Sequence, residues 1–153
     1  MSLEDDIAFF EQVPTFAVLG KDALRILAIS AEARHLQSGA VLFYAGELAD
    51  GGYLVQEGSL QLEPGTMQED KAFTVGPGTL VGELALLVDM VCPATAIAKE
   101  PTVVIRISRT LFKKMLEGYP DAAVRLRNVM AGRLDQWTRE LSAVKKTMEK
   151  SGE

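Results

Sequence analysis

Residue types that commonly carry chemistry are sparse in this chain of 153 residues, which has one cysteine, one histidine and one tryptophan. Cys92 stands in Cys92-Pro93-Ala94-Thr95-Ala96, shortly after Gly82-Glu83-Leu84-Ala85-Leu86-Leu87. Glycine, acid and apolar run read together as a turn into a short helix, and an acid in a first helical turn is favoured by the helix dipole on its own. Cys92 has two readings. The expected one is a small, buried, inert residue, as most free cysteines are. The other is a redox- or electrophile-sensing thiol whose pKa is lowered by dipoles at a helix N-terminus, an effect that Glu83 and Asp89 oppose. No Lys, Arg or His occurs between Lys71 and Lys99. His35 is alone, so the clustered histidines of a metal-binding barrel are missing, and no metal site is expected. No Gly-x-Ser-x-Gly elbow and no Cys/His pair with an orienting partner appears, so no enzyme is expected.

The elements that must position these residues fall into three blocks. Leu3 to Val13 reads as a short helix with Phe9, Phe10 and Val13 on one face, ended by Pro14. Lys21 to Ala31 reads as a second, with Leu24, Leu27, Ala28 and Ala31 facing inward. From Arg34 to about Ser108 the pattern becomes short apolar runs separated by Gly, Pro and Asp, such as Val41-Leu42-Phe43-Tyr44, Tyr53-Leu54-Val55, Leu60-Gln61-Leu62 and Val103-Val104-Ile105-Arg106-Ile107. Strands at this spacing predict a sandwich or barrel. Glu63-Pro64-Gly65-Thr66 through Asp70 reads as a hairpin tip. Thr110 to Gly118 is a short helix, and Pro120 opens another that runs to Met148, roughly 40 Å at 1.5 Å per residue.

The segment Gly82-Glu83-Leu84-Ala85, its gap and Cys92-Pro93-Ala94-Thr95 resemble the phosphate-binding cassette of the cyclic nucleotide-binding domain family, of the cAMP receptor protein and protein kinase A regulatory subunit type. Gly39-x-x-Leu42-Phe43-x-x-Gly46 and Asp50-x-x-Tyr53-Leu54-Val55-x-x-Gly58-x-Leu60 resemble that family's opening strands. The resemblance implies a mainly β fold with flanking helices, a double-stranded β-helix or jelly roll. It implies one domain over 1–153, with N-terminal helices at 1–31, a β-roll at 34–108 holding the cassette at 82–95, and C-terminal helices at 110–148. It also implies a ligand site of Gly82, Glu83, Leu84, Ala85, Cys92, Pro93 and Ala94. In the family, backbone N–H groups after the glycine meet the cyclic phosphate, the position of Glu83 accepts a hydrogen bond from the ribose 2′-hydroxyl, and Arg occupies the slot held here by Cys92.

That replacement sets the functional expectation. A hydrogen bond to a charged group contributes ~1.5–3 kcal/mol, and breaking a buried ion pair costs ~3–5 kcal/mol. A helix N-terminus returns only ~0.3–1 kcal/mol. The net loss is about two to three orders of magnitude, which moves a micromolar site to roughly millimolar. The expectation is a regulatory or sensor domain for cyclic AMP, cyclic GMP or another small anion, with binding weakened or lost and no cofactor required. The alternative is a non-binding dimerisation module of the same fold. A replacement cation would come from Arg127 or Arg133 on the long helix, or from a partner subunit.

Leu134, Trp137, Leu141, Val144 and Met148 step by three, four, three and four along that helix, a short a/d seam. The resemblance makes it a dimer interface and places Trp137 and Thr138 where the family caps the ligand base. A homodimer is therefore expected, with Trp137 as a dimer or core anchor ahead of a base cap. The net charge of -5 and the absence of a basic stripe argue against nucleic acid as a partner. No membrane span, secretory leader or disulfide is read from the chain, and a cytoplasmic location is the expectation. With the chain ending at Glu153, no helix-turn-helix module is expected after the long helix.

Overall fold

The structure is a computed structural model and describes residues 2–64 and 72–132. Three helices come first: α1 (Leu3–Glu11), α2 (Pro14–Ala17) and α3 (Lys21–Ser30). Ser2 caps α1 through a reciprocal capping box with Asp5. The sequence reading carried the first helix on to Val13 and used Pro14 only as its stop. Instead α1 ends at Glu11 and Pro14 opens α2, since proline lacks the N–H that a first helical residue does not need. Val13 is still buried, as expected.

Among the described residues ten strands follow: β1 (Glu32–Leu36), β2 (Val41–Phe43), β3 (Leu48–Ala49), β4 (Gly51–Glu57), β5 (Leu60–Pro64), β6 (Phe73–Val75), β7 (Leu80–Val81), β8 (Met90–Val91), β9 (Ala94–Ala98) and β10 (Thr102–Ser108). They form one sheet in the order β1-β10-β4-β7, a second in the order β2-β9-β5-β6, and a small ribbon of β3 and β8. All pairings are antiparallel. This is the mainly β jelly roll with flanking helices that the sequence predicts. Strands β3, β7 and β8 have two residues each, too short to leave an alternating pattern in the sequence. The described residues end with α4 (Arg109–Gly118), capped by Ser108, and α5 over residues 120–132. Of the hairpin tip read from Glu63 through Asp70, Glu63 and Pro64 instead extend β5, paired with Thr95 and Ala94, and the rest lies outside the described residues, as does the a/d seam from Leu134 to Met148.

The first sheet has two working faces. Leu54, Ile105 and Ile107 point to the helices, where they join Phe10, Phe16, Leu24, Leu27, Phe112 and Met115 in one buried cluster. Val55 and Val104 point the other way and pack with Leu60, Leu62, Ala96 and Ala98 of the second sheet. The pleat sends alternate side chains to opposite faces, so both clusters are built from the same two strands. Phe16 is the hub of the helical cluster. It is fully buried, with its ring 5.7 Å from Phe10 and 6.2 Å from Phe112. Truncation there leaves a cavity between three elements, so Phe16→Ala is expected to lower unfolding free energy by ~3–5 kcal/mol in urea denaturation followed by circular dichroism.

Candidate functional site

The register that separates the two cores also shapes a cleft. Arg106 pairs with Tyr53, and Tyr53 pairs in turn with Val81. All three share the parity of Val55 and Val104, so they face the interior of the roll. Between the sheets, on this side, opens a cleft of about 770 Å³. That is within the range of small-molecule sites. The Gly82–Ala85 turn, Cys92, Pro93 and Ala94 line one wall. The structure thus gathers these residues around one space. Trp137 and Thr138 lie outside the described residues.

Close approach governs the cassette's position. Gly82 has φ +81°, a conformation natural to glycine. A Cβ at Gly82 would lie 3.1 Å from the Gly51 carbonyl oxygen, and one at Gly52 would lie 3.3 Å from the Gly82 carbonyl oxygen. The turn after Gly82 is a 3₁₀ turn, Leu84–Leu86, not a longer α-helix. Its internal bonding begins where Ala85 N–H donates to the Gly82 carbonyl at 3.1 Å, so the N–H groups of Glu83 and Leu84 precede the ladder. Arg109, the first residue of α4, holds the turn in place. Its Nε donates to the Ala85 carbonyl at 2.9 Å and its Nη2 to the Ala49 carbonyl at 2.6 Å, while Nη1 pairs with Asp89.

Glu83 lines the cleft but is tied elsewhere. Its carboxylate accepts a 2.7 Å hydrogen bond from the buried Thr15 hydroxyl on α2. No sequence pattern connects positions 68 residues apart. Cys92 is buried at 7% exposure. Its backbone N–H donates to the Glu47 carbonyl at 2.7 Å, and its own carbonyl accepts from Gly46 N–H at 2.8 Å. Burial pushes the thiol pKa up, and the carboxylates of Glu47 and Asp50 push it further. The dipole-lowered thiolate considered from sequence is therefore not what this environment favours.

The sequence reading sought a replacement cation near the cassette or on the long helix and missed two arginines that the fold brings to the cleft. Arg34 on β1 and Arg106 on β10 both line it. Arg127 is exposed on α5 and is not among the lining residues, and Arg133 lies outside the described residues. A signal was present: Arg106 interrupts the apolar strand Val103–Ile107 at the parity of Val104, whose face is buried. Arg106 Nη2 lies 2.7 Å from Asp50 Oδ2, and the Arg34 guanidinium stands 6.0 Å from the Tyr53 ring centroid. Burial alone would lower the Arg106 pKa, but the Tyr53 phenol and the Asp50 carboxylate outweigh it and hold the guanidinium above its ordinary value. Asp89, counted with the cassette from sequence, pairs with Arg109 and does not line the cleft, where the carboxylates are Glu47, Asp50 and Glu83. Among the described residues no three His, Cys, Asp or Glu side chains group to hold a metal, and no helix is long and apolar enough to cross a membrane.

Comparison with known proteins decides the family. The model of the cyclic nucleotide-binding domain matches residues 33–119, more than half of the chain. The chain belongs to the cyclic nucleotide-binding domain family. A solved structure, the cyclic nucleotide-binding-like protein of Brucella abortus, is 35% identical with a TM-score of 0.66, covering 74% of this chain and 98% of that one. The HTH-type transcriptional regulator Cmr of Mycobacterium tuberculosis is 28% identical over 119 residues, 77% of this chain and 49% of its own. The Cyclic AMP receptor protein of Thermus thermophilus is 29% identical over 130 residues, 84% of this chain and 60% of its own. The chain thus spans about half of these two curated relatives, and shares with them a domain of the cyclic nucleotide-binding type.

A raised thiol pKa is directly testable. With the proton held by burial and two carboxylates, iodoacetamide should alkylate Cys92 slowly at neutral pH. Its rate should climb with an inflection above that of a free cysteine in the urea-unfolded chain, as read by mass spectrometry.

Proposed function

We propose that this domain senses a small anionic ligand of the cyclic nucleotide class in the cleft between its sheets, with affinity reduced because Cys92 stands in the slot of the family's phosphate-binding arginine. It acts by binding and not by catalysis. The observation that carries this reading is the assembly of Gly82, Glu83, Ala85, Cys92 and Ala94 around one cleft of about 770 Å³, with no cation among the described residues of the cassette, 82–95. Cyclic AMP and cyclic GMP are the ligands to test first. The family's ribose contact at Glu83 would fall on the acceptor capacity that the Thr15 bond at Oε1 leaves, or draw the carboxylate away from Thr15.

That bond also supports the regulatory part of the proposal. Thr15 sits on α2, and the chain directly after α2 presents the Val18 and Leu19 carbonyls to Arg125 of α5, at 2.6 and 3.0 Å. Ala122 and Leu126 of α5 are buried in the same cluster as Phe16 and Leu19. A ligand that draws Glu83 away from Thr15 therefore loosens the seat of α5. We assign the output to this helix, and to a homodimer formed through its continuation. The alternative, an interaction module that binds no nucleotide, is favoured by the same two facts, Cys92 in the slot and Glu83 held by Thr15.

Titration of the ¹⁵N-labelled protein with cyclic AMP separates the readings. Saturable amide shifts are expected at residues 82–95 and at Thr15, with half-saturation at about 1 mM. Micromolar saturation would sink the missing-cation explanation, and an unmoved spectrum at tens of millimolar would hand the function to the interaction module.

A further inference from the structure

The cleft's positive charge lies on the sheet whose strand β7 leads into Gly82, on strands β1 and β10, and nothing in the family resemblance assigns it a role. Arg106 sits directly across from Glu32 on β1, and Arg34 is across from Val104 two residues on. The two arginines are therefore diagonal neighbours on one face, within reach of each other's long side chains. Tyr53, the cross-strand partner of Arg106, carries the Arg34 guanidinium over its ring. Phe43 packs on Tyr53 at 5.7 Å. Two guanidinium forks beside an aromatic pair suit a phosphate attached to a ring.

Charge accounting favours an incoming anion. Among the described residues no carboxylate lies within ion-pair distance of Arg34, and Arg106 has only Asp50. The Asp50 side chain is 68% exposed and that of Arg106 is 21% exposed. Such a half-solvated pair is weak and can be exchanged. Asp50 is thus placed as an internal stand-in for a ligand anion.

We propose that Arg34 and Arg106 form an anion subsite that takes the phosphate of a small ring-bearing phosphoester, with Asp50 as the group displaced. The subsite rests on the reading of the cleft as a ligand site, and it adds an anion position on the first sheet beside the one in the Cys92 slot. The ring then lies against Phe43 and Tyr53.

The test is an NMR titration of the full chain with inorganic phosphate at constant ionic strength, reading the arginine Nε–Hε resonances. Saturable shifts are expected for Arg34 and Arg106, with Arg109 and Arg125 unmoved because their Nε groups already donate to carbonyls. Arg106→Gln should weaken saturation at Arg34 by at least about tenfold. Asp50→Asn should tighten it by up to about fivefold, a gain that a merely structural ion pair would not produce. Equal, unsaturable drift of all arginines, or weaker binding by Asp50→Asn, would overturn the subsite. Adding cyclic AMP to the same sample separates the two proposals. Shifts confined to residues 82–95 with Arg34 and Arg106 still would keep the cassette reading and defeat this one. Phosphate saturation at the arginines with cyclic AMP inert would keep this one and defeat the cyclic nucleotide reading.

Discussion

Alternation of side chains along β4 and β10 is the constraint on which the molecule depends. One parity, Leu54, Ile105 and Ile107, seals the helices onto the sheet. The other, Tyr53, Val55, Val104 and Arg106, builds the inner core and the cleft. A one-residue slip would bury Arg106 among Phe10, Phe16 and Phe112 and turn Ile105 and Ile107 towards the cleft. The paired antiparallel register across β1, β10, β4 and β7 prevents this. Structural core and ligand space are thus two products of one strand pairing.

The cassette depends on that sheet in its turn. Gly82 can lie against Gly51 and Gly52 because neither side presents a Cβ. Arg109 follows β10 directly and reaches both the 3₁₀ turn and the end of β3, so three segments share one guanidinium. Glu83 extends the connection to α2 through Thr15, and Arg125 continues it from the α2–α3 link to α5. The bonds of Thr15, of Arg109 and of Arg125 to Leu19 are part-buried, where an unmade bond costs ~1–3 kcal/mol. A continuous path of hydrogen bonds thus joins the cleft wall to the C-terminal helix, and the proposed regulation rests on it.

Much of this was legible in the residues. Turn glycines, short apolar runs and the Gly82–Ala85 motif pointed to the jelly roll, and the helical periodicity placed Leu24 and Leu27 in the core. What escaped was non-local. Thr15 is an unremarkable hydroxyl until the fold sets it beside Glu83. Arg34 and Arg106 are ordinary basic residues until β1 and β10 pair and turn them into the cleft. Neither the neighbours of Cys92 in sequence nor Arg127 and Arg133 of the long helix pointed to them, because a jelly roll forms its walls from strands far apart in the chain. The environment of Cys92 was equally hidden, because Glu47 and Asp50 act on it through space.

The loss of one cation from the cassette wall is the proposition that most needs a direct answer. Isothermal titration calorimetry of cyclic AMP into Cys92→Arg, beside the unaltered protein, supplies it. Restoring the guanidinium should tighten binding by about a hundredfold or more, which brings a roughly millimolar interaction towards micromolar. Micromolar binding by the unaltered protein, or no gain on Cys92→Arg, would contradict it.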